Sequence, residues 1–110
     1  MTTDLVSQKC HACEGGVEKV AQDEMAFCLQ QVPGWELADG VLQRTFKFKN
    51  YYEALAFVNA TAWISHRENH HPDIALGYNK VTLRYRTHAV GGLTQNDFIC
   101  AAKVNALLSI

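Results

Sequence analysis

The sequence predicts an α+β fold: a four-stranded antiparallel sheet with three helices on one face, in the order α-β-β-α-β-β-α. Three observations lead there. Two stretches alternate apolar and polar residues beside turn-forming residues, three others repeat apolar residues every three or four positions, and Pro33-Gly34, Pro72 and Gly91-Gly92 punctuate them. One layer of helices over one sheet is the simplest arrangement that buries every apolar stripe.

Residues 1–16 are polar, contain Cys10-His11-Ala12-Cys13 and end in Gly15-Gly16, which describes an arm ahead of a domain spanning 17–110. From Val17 to Val32 the pattern is helical, with Val20, Met25, Leu29 and Val32 near one face, until Pro33-Gly34 stops it. Trp35-Glu36-Leu37 opens an extended segment, and Asp39-Gly40 is a hairpin turn because glycine accepts positive φ. Val41 to Lys49 then alternates: Leu42, Phe46 and Phe48 share one face, Gln43, Thr45 and Lys47 the other, and Arg44 intrudes on the apolar side. Tyr51 to about Asn69 lacks Gly and Pro, and Leu55, Val58 and Ala62 step along one helical face that Phe57 and Ile64 broaden. Pro72 forbids continuation and biases His71 toward extended backbone. Asp73–Leu76 and Lys80–Arg86 form the second hairpin around Gly77-Tyr78-Asn79, with Val81, Leu83 and Tyr85 inward. Thr94 and Asp97 make a capping box for a last helix faced by Phe98, Ala101, Val104 and Leu108.

Composition excludes several classes of function. Ten Lys and Arg against eleven Asp and Glu leave a net charge of -1, without the basic footprint of a nucleic-acid or anionic-membrane binder. No apolar run approaches the roughly 20 residues of a membrane span, and Met1-Thr2-Thr3-Asp4 has no secretory character, so a cytoplasmic location is expected. A short sheet with open edges is expected to pair with itself, as a homodimer or homotetramer. Cys10, Cys13, Cys28 and Cys100 are too few and too uneven for a secreted disulfide framework. The C-x-x-C pair fits half a zinc site or a redox pair, and no second pair completes it.

Three of the five histidines, His66, His70 and His71, fall within six positions, and His88 follows. An imidazole titrates near neutral pH unaided, so the cluster suits proton transfer or metal binding. Surface rings at a helix C-terminus, where a cation favours the dipole, are the plainer alternative. His66 and His70 have ligand spacing with His88 as a third nitrogen, but His66-Arg67-Glu68-Asn69-His70 is not H-E-x-x-H, and Arg67 opposes a cation. The helix end at His70 and the extended turn at His71 can instead aim both rings into one cleft.

His70-His71-Pro72-Asp73, Tyr78-Asn79-Lys80-Val81, Thr87-His88-Ala89-Val90-Gly91-Gly92-Leu93-Thr94 and Asp97, in this order, resemble the pterin-4a-carbinolamine dehydratase family. Gly34-Trp35 and Phe46-Lys47-Phe48 are similar to that family's first hairpin, and the resemblance covers roughly residues 20–108. It implies dehydration of 4a-hydroxytetrahydropterin, a by-product of aromatic amino-acid hydroxylation, to quinonoid dihydropterin, with no redox cofactor and no metal. By position it implies His70, His71 and His88 as catalytic residues, with His70 and His88 the acid–base pair and His71 binding and orienting the pterin. Asp97 is implied to orient a histidine or contact the ring nitrogens, and Trp35 to form a flat wall beside the pterin, a core role being the alternative. Some family members also stabilise a transcription-factor dimer. A regulatory protein or an aromatic amino-acid hydroxylase is therefore an implied partner, besides the pterin. Two features depart from the pattern: His66 stands where many relatives carry glutamate, and the Cys10–Cys13 arm lies outside the matched region.

Overall fold

Two alternating segments become the centre of the sheet because each buries one face only. The computed structural model describes residues 4–11 and 18–108. Its elements are α1 (Met25–Gln30), β1 (Glu36–Ala38), β2 (Val41–Lys47), α2 (Tyr51–Glu68), β3 (Asp73–Leu76), β4 (Lys80–Tyr85) and α3 (Gln95–Leu107), with 3-10 turns at Leu5–Ser7, Gln22–Glu24 and His88–Val90. The strands form one antiparallel sheet in the order β1-β2-β4-β3. Register places Leu42 opposite Tyr85, Arg44 opposite Leu83 and Phe46 opposite Val81, which puts the apolar residues of both central strands on one face. That face meets Phe57 and Ile64 of α2 and Phe98, Ile99 and Val104 of α3 in one buried core. The opposite face is polar, and Thr45 and Thr82 share a cross-strand hydrogen bond of 2.8 Å there. Among the described residues no helix is long and apolar enough to cross a membrane.

The first helix is shorter than its periodicity suggests. Lys19 bridges to Thr94 and the Val20 amide donates to Leu93 O at 2.8 Å, so the chain is extended where the helix was expected to begin. Helix starts only with the turn at Gln22–Glu24 and ends at Gln30, and Phe27 faces solvent. Val17 lies outside the described residues. The strands and α2 begin and end within two residues of expectation, whereas α3 stops at Leu107 and Leu108 is exposed. On α2 the buried face is Ala54, Phe57, Thr61 and Ile64, so Leu55 and Ala62, expected inward, are exposed and Val58 is half-buried. Asp39-Gly40 adopts positive φ at both positions, 53° and 77°.

Arg44 is tolerated on the apolar face because its charge is led out along a polar seam. Its Nη1 donates to Asn105 Oδ1 at 2.7 Å and to Pro33 O at 3.1 Å, and its guanidinium lies 4.4 Å over the Phe46 ring. Asn105 Oδ1 also accepts Trp35 Nε1–H at 2.8 Å. Gly34 makes room for this packing, with φ at +89° and an added Cβ only 2.6 Å from Arg44 Cζ.

Of the segment expected as a separate arm, the described residues 4–11 pack on the core. Leu5 is buried, Lys103 Nζ donates to Val6 O at 2.6 Å, and the Cys10 amide donates to Glu68 Oε1 at 2.8 Å. His11 and Asn96 exchange two bonds of 3.0 and 2.8 Å. Burial works to raise the Glu68 carboxyl, but the Cys10 amide and the charges of Lys103 and Lys9 outweigh it and hold the group below its usual range.

Two outcomes are expected. Gly34→Ala should cost about 2 kcal/mol or more in urea melts, from αL strain plus collision with Arg44, against about 1 kcal/mol for Gly40→Ala, where strain acts alone. Because the native Glu68 pKa is depressed, its stabilisation is complete above the ordinary value of 4.5 and disappears as pH falls through the lower native one. The Tm gap between wild type and Glu68→Gln should therefore be full above about pH 5 and close on acidification. A gap independent of pH would refute the carboxylate's role.

Candidate active site

The end of α2 delivers two histidines to one place. Asn69 caps the helix in the αL conformation (φ 52°, ψ 43°), which asparagine accepts more readily than most residues. The His70 amide still bonds to Ser65 O at 3.2 Å, and then buried Pro72 prevents further helix and starts β3. His70 turns inward and is 8% exposed, while His71 is exposed. Both line an open cleft of about 160 Å³ with Asn69, Arg86, Thr87, His88 and Ala89.

Asp97 fixes His70. Its carboxylate is fully buried, with Oδ1 2.7 Å from His70 Nε2. Oδ2 accepts the Thr94 amide at 2.9 Å and the Thr87 hydroxyl at 2.8 Å. Since the Thr87 proton is committed to Asp97, the 2.9 Å contact between Thr87 and Thr94 hydroxyls has Thr94 as donor. Thr94 Oγ1 in turn accepts the Asn96 amide at 3.2 Å. A carboxylate only accepts, so His70 Nε2 carries a proton, and in the neutral ring Nδ1 keeps its lone pair. The capping box expected from Thr94 and Asp97 is present, and the same side chain orients a histidine.

His88 comes from the loop after β4. Thr87 and Gly92 form a bridge that closes this loop, and Gly91 takes φ 63° to end the turn. Arg86 Nη2 lies 3.2 Å from His88 Nδ1. A guanidinium can only donate, so this contact makes Nδ1 an acceptor and leaves the N–H of neutral His88 at Nε2.

The structure thus brings His70, His71 and His88 together and sets Asp97 directly behind His70. Trp35 is elsewhere: it is buried in the core against Phe46 and Tyr85, at centroid distances of 6.0 and 5.7 Å. It reaches the site only through Tyr85, whose ring stacks on His70 at 6.0 Å with 7° between planes. His66 is on the exposed face of α2 against the Trp63 ring, away from the cleft, and not beside His70 and His88 as a third ligand would be. Among the described residues no three His, Cys, Asp or Glu side chains are grouped to hold a metal. Cys13 lies outside the described residues, so the expected C-x-x-C pair is seen only at Cys10.

Sequence reasoning misses the supporting residues. Thr87 is ten positions from Asp97 and no periodicity links them. Arg86 looks like an ordinary outward strand residue, and Tyr85 like an ordinary inward one. Asn69 alone carried a signal, as an asparagine at a helix end just before the His-His-Pro break.

Residues 18–107 match the family profile described as pterin 4 alpha carbinolamine dehydratase. A protein of Nitrosomonas eutropha, provisionally named pterin-4-alpha-carbinolamine dehydratase, is 57% identical over 106 residues, covering 96% of this chain and 94% of its own. The solved structure of a transcriptional coactivator/pterin dehydratase from Brucella melitensis superposes with a TM-score of 0.78 at 32% identity, over 82% of this chain and 98% of that one. A pterin dehydratase-like protein described as a RuBisCO assembly factor in the alpha-carboxysome gives 0.58 at 28% identity, over 70% and 92%.

Asp97→Ala removes the acceptor for a backbone amide, a hydroxyl and an imidazole at a fully buried position. It should lower stability by about 2–4 kcal/mol in denaturant melts. Thr87→Val, which removes one donor from the same carboxylate, should cost about 1–2 kcal/mol.

Proposed function

The chain belongs to the pterin-4-alpha-carbinolamine dehydratase family, and on that premise we propose that it dehydrates 4a-hydroxytetrahydropterin to quinonoid dihydropterin, recycling the pterin used in aromatic amino-acid hydroxylation. The observation that carries this reading is the convergence of His70, His71 and His88 on one cleft, with a buried carboxylate committed to His70.

The reaction breaks the C4a–O bond and an N–H bond, forms a C=N bond and releases water. No electrons leave the substrate, so an acid and a base are sufficient. His70 is suited to be the base: Asp97 accepts its Nε2–H, Nδ1 holds the free lone pair, and the carboxylate stabilises the imidazolium formed when Nδ1 takes the ring proton. His88 is suited to the departing hydroxyl: its Nε2–H, left free by Arg86, hydrogen-bonds that oxygen, and the proton with which it leaves as water comes from the imidazolium form, which gives up the Arg86 contact at Nδ1. His71, exposed at the cleft rim, has no such support and fits a binding and orienting role.

A second reading, a protein-binding regulator on the same fold, draws on the coactivator and assembly-factor relatives. Tyr52 and Trp63 stand exposed on α2, and β3 is an open edge whose four residues all face solvent to some extent. The same edge supports self-association as a homodimer or homotetramer. Light scattering at micromolar concentration should find no monomer; a monomer would count against it.

The test of the enzyme reading is turnover of 4a-hydroxytetrahydropterin by purified protein above the spontaneous rate, unchanged after prolonged chelation. His70→Ala and His88→Ala should lower kcat and kcat/KM together, within about 10²–10⁴-fold. His71→Ala should act mainly through KM, and His66→Ala on neither. Asp97→Asn keeps the shape but offers His70 a donor instead of an acceptor. It should reverse the tautomer and lower kcat by about 10²-fold or more with smaller loss of stability than Asp97→Ala. A fully active His88→Ala beside an inactive His66→Ala would overturn the assignment.

A further inference from the structure

Beside His70, two thiols that the proposed chemistry does not use meet across 90 positions of sequence: Cys10 Sγ and Cys100 Sγ are 3.6 Å apart. Cys100 is fully buried on α3, one turn beyond Asn96 and Asp97, and its sulfur is also 4.0 Å from the His70 carbonyl oxygen. Cys10 is half-buried on the N-terminal segment. Its backbone is held there, because the Cys10 amide is tied to Glu68 and the next residue to the Asn96 side chain, and its thiol lies 3.6 Å from Asn96 O. The fold thus brings the backbones of both cysteines into reach of each other, and the side-chain rotamers set the distance between the sulfurs.

We propose that Cys10 and Cys100 are a redox pair, which an oxidant of the peroxide class joins into a disulfide that latches the N-terminal segment onto α3 beside His70. Cys10, the more exposed thiol, meets the oxidant first. Its sulfur attacks one peroxide oxygen, the O–O bond breaks, and Cys10 becomes a sulfenic acid as one water leaves. The Cys100 sulfur then attacks that of Cys10; the S–S bond forms, the S–O bond breaks, and the hydroxide leaves as a second water with the Cys100 proton. Two electrons, one from each sulfur, have reduced one hydrogen peroxide to two waters. The bond from Cys10 and burial both push the Cys100 thiol up, which keeps it from reacting with the oxidant first; its part in the second step rests on its 3.6 Å approach to the Cys10 sulfur. A disulfide needs the sulfurs about 2.05 Å apart, a closure of roughly 1.5 Å that side-chain rotation at half-buried Cys10 can supply.

The experiment is titration of the full chain with hydrogen peroxide, followed by alkylation, peptide mapping by mass spectrometry and parallel melting curves. The expected product is a Cys10–Cys100 disulfide with a Tm rise on the order of 10 °C, reversed by dithiothreitol, because the cross-link closes a long loop. Cys13→Ser and Cys28→Ser should respond as wild type does. Cys10→Ser should not, and its half-buried position keeps the test independent of whether Cys100→Ser folds. A bond mapped to Cys10–Cys13, oxidation to sulfinic acid with no internal bond, a disulfide that leaves Tm unchanged, or a Tm rise that persists in Cys10→Ser would each overturn the proposal.

Discussion

One buried carboxylate holds the site and the fold to each other. Asp97 has two oxygens and three partners from different parts of the chain: the amide of Thr94 at the start of α3, the hydroxyl of Thr87 after β4, and the ring of His70 after α2. A fully desolvated carboxylate is costly unless its lone pairs are filled, and here the folding of three elements fills them. The same requirement fixes which nitrogen of His70 carries the proton. Helix capping and tautomer control are thus one set of hydrogen bonds, which is why stability and chemistry are coupled at this residue.

The second junction is the seam between the C-terminal end of α2 and the side of α3, where the N-terminal segment lies. Glu68 and Lys103 form an ion pair of 3.7 Å, and each also holds backbone of that segment. Asn96 brackets His11 one residue before Asp97. The segment consequently packs over the two elements that carry His70 and Asp97. The contact between Cys10 and Cys100 lies in this seam, with the Cys100 sulfur 4.0 Å from the carbonyl oxygen of buried His70.

The sheet, α2, α3 and both hairpins are legible in the sequence because each follows from a short-range rule: alternation, helical spacing, a turn dipeptide, a capping box. The first helix is not, because the bond from Val20 to Leu93 competes with helix formation, and nothing local to residues 17–22 reveals it. The histidines are visible as a cluster at a helix end, and the motif order joins His88 to them. Their protonation pattern is invisible, since it depends on contacts such as Thr87 with Asp97 and Arg86 with His88 that only the folded sheet brings about. Trp35 illustrates the opposite case. Its place in the motif suggests a wall of the cleft, whereas its indole N–H is used by Asn105 in the core.

That displacement has a structural consequence for His70. Trp35 packs on Tyr85, and Tyr85 stacks on the imidazole, so the ring is held on its face by aromatic contact and at its edge by Asp97. Trp35 is itself anchored through Asn105, which also receives Arg44 from the middle of β2. A charged residue on the apolar face of the sheet, which looks like an error of patterning, therefore stiffens the support beneath the site. Rotation of His70 out of line would have to break a buried charge-assisted hydrogen bond and an aromatic stack together, and the two constraints act in perpendicular directions. His70 is thus the side of the cleft held from two directions, while the rings of His71 and His88 face solvent, His88 with its Nδ1 on Arg86.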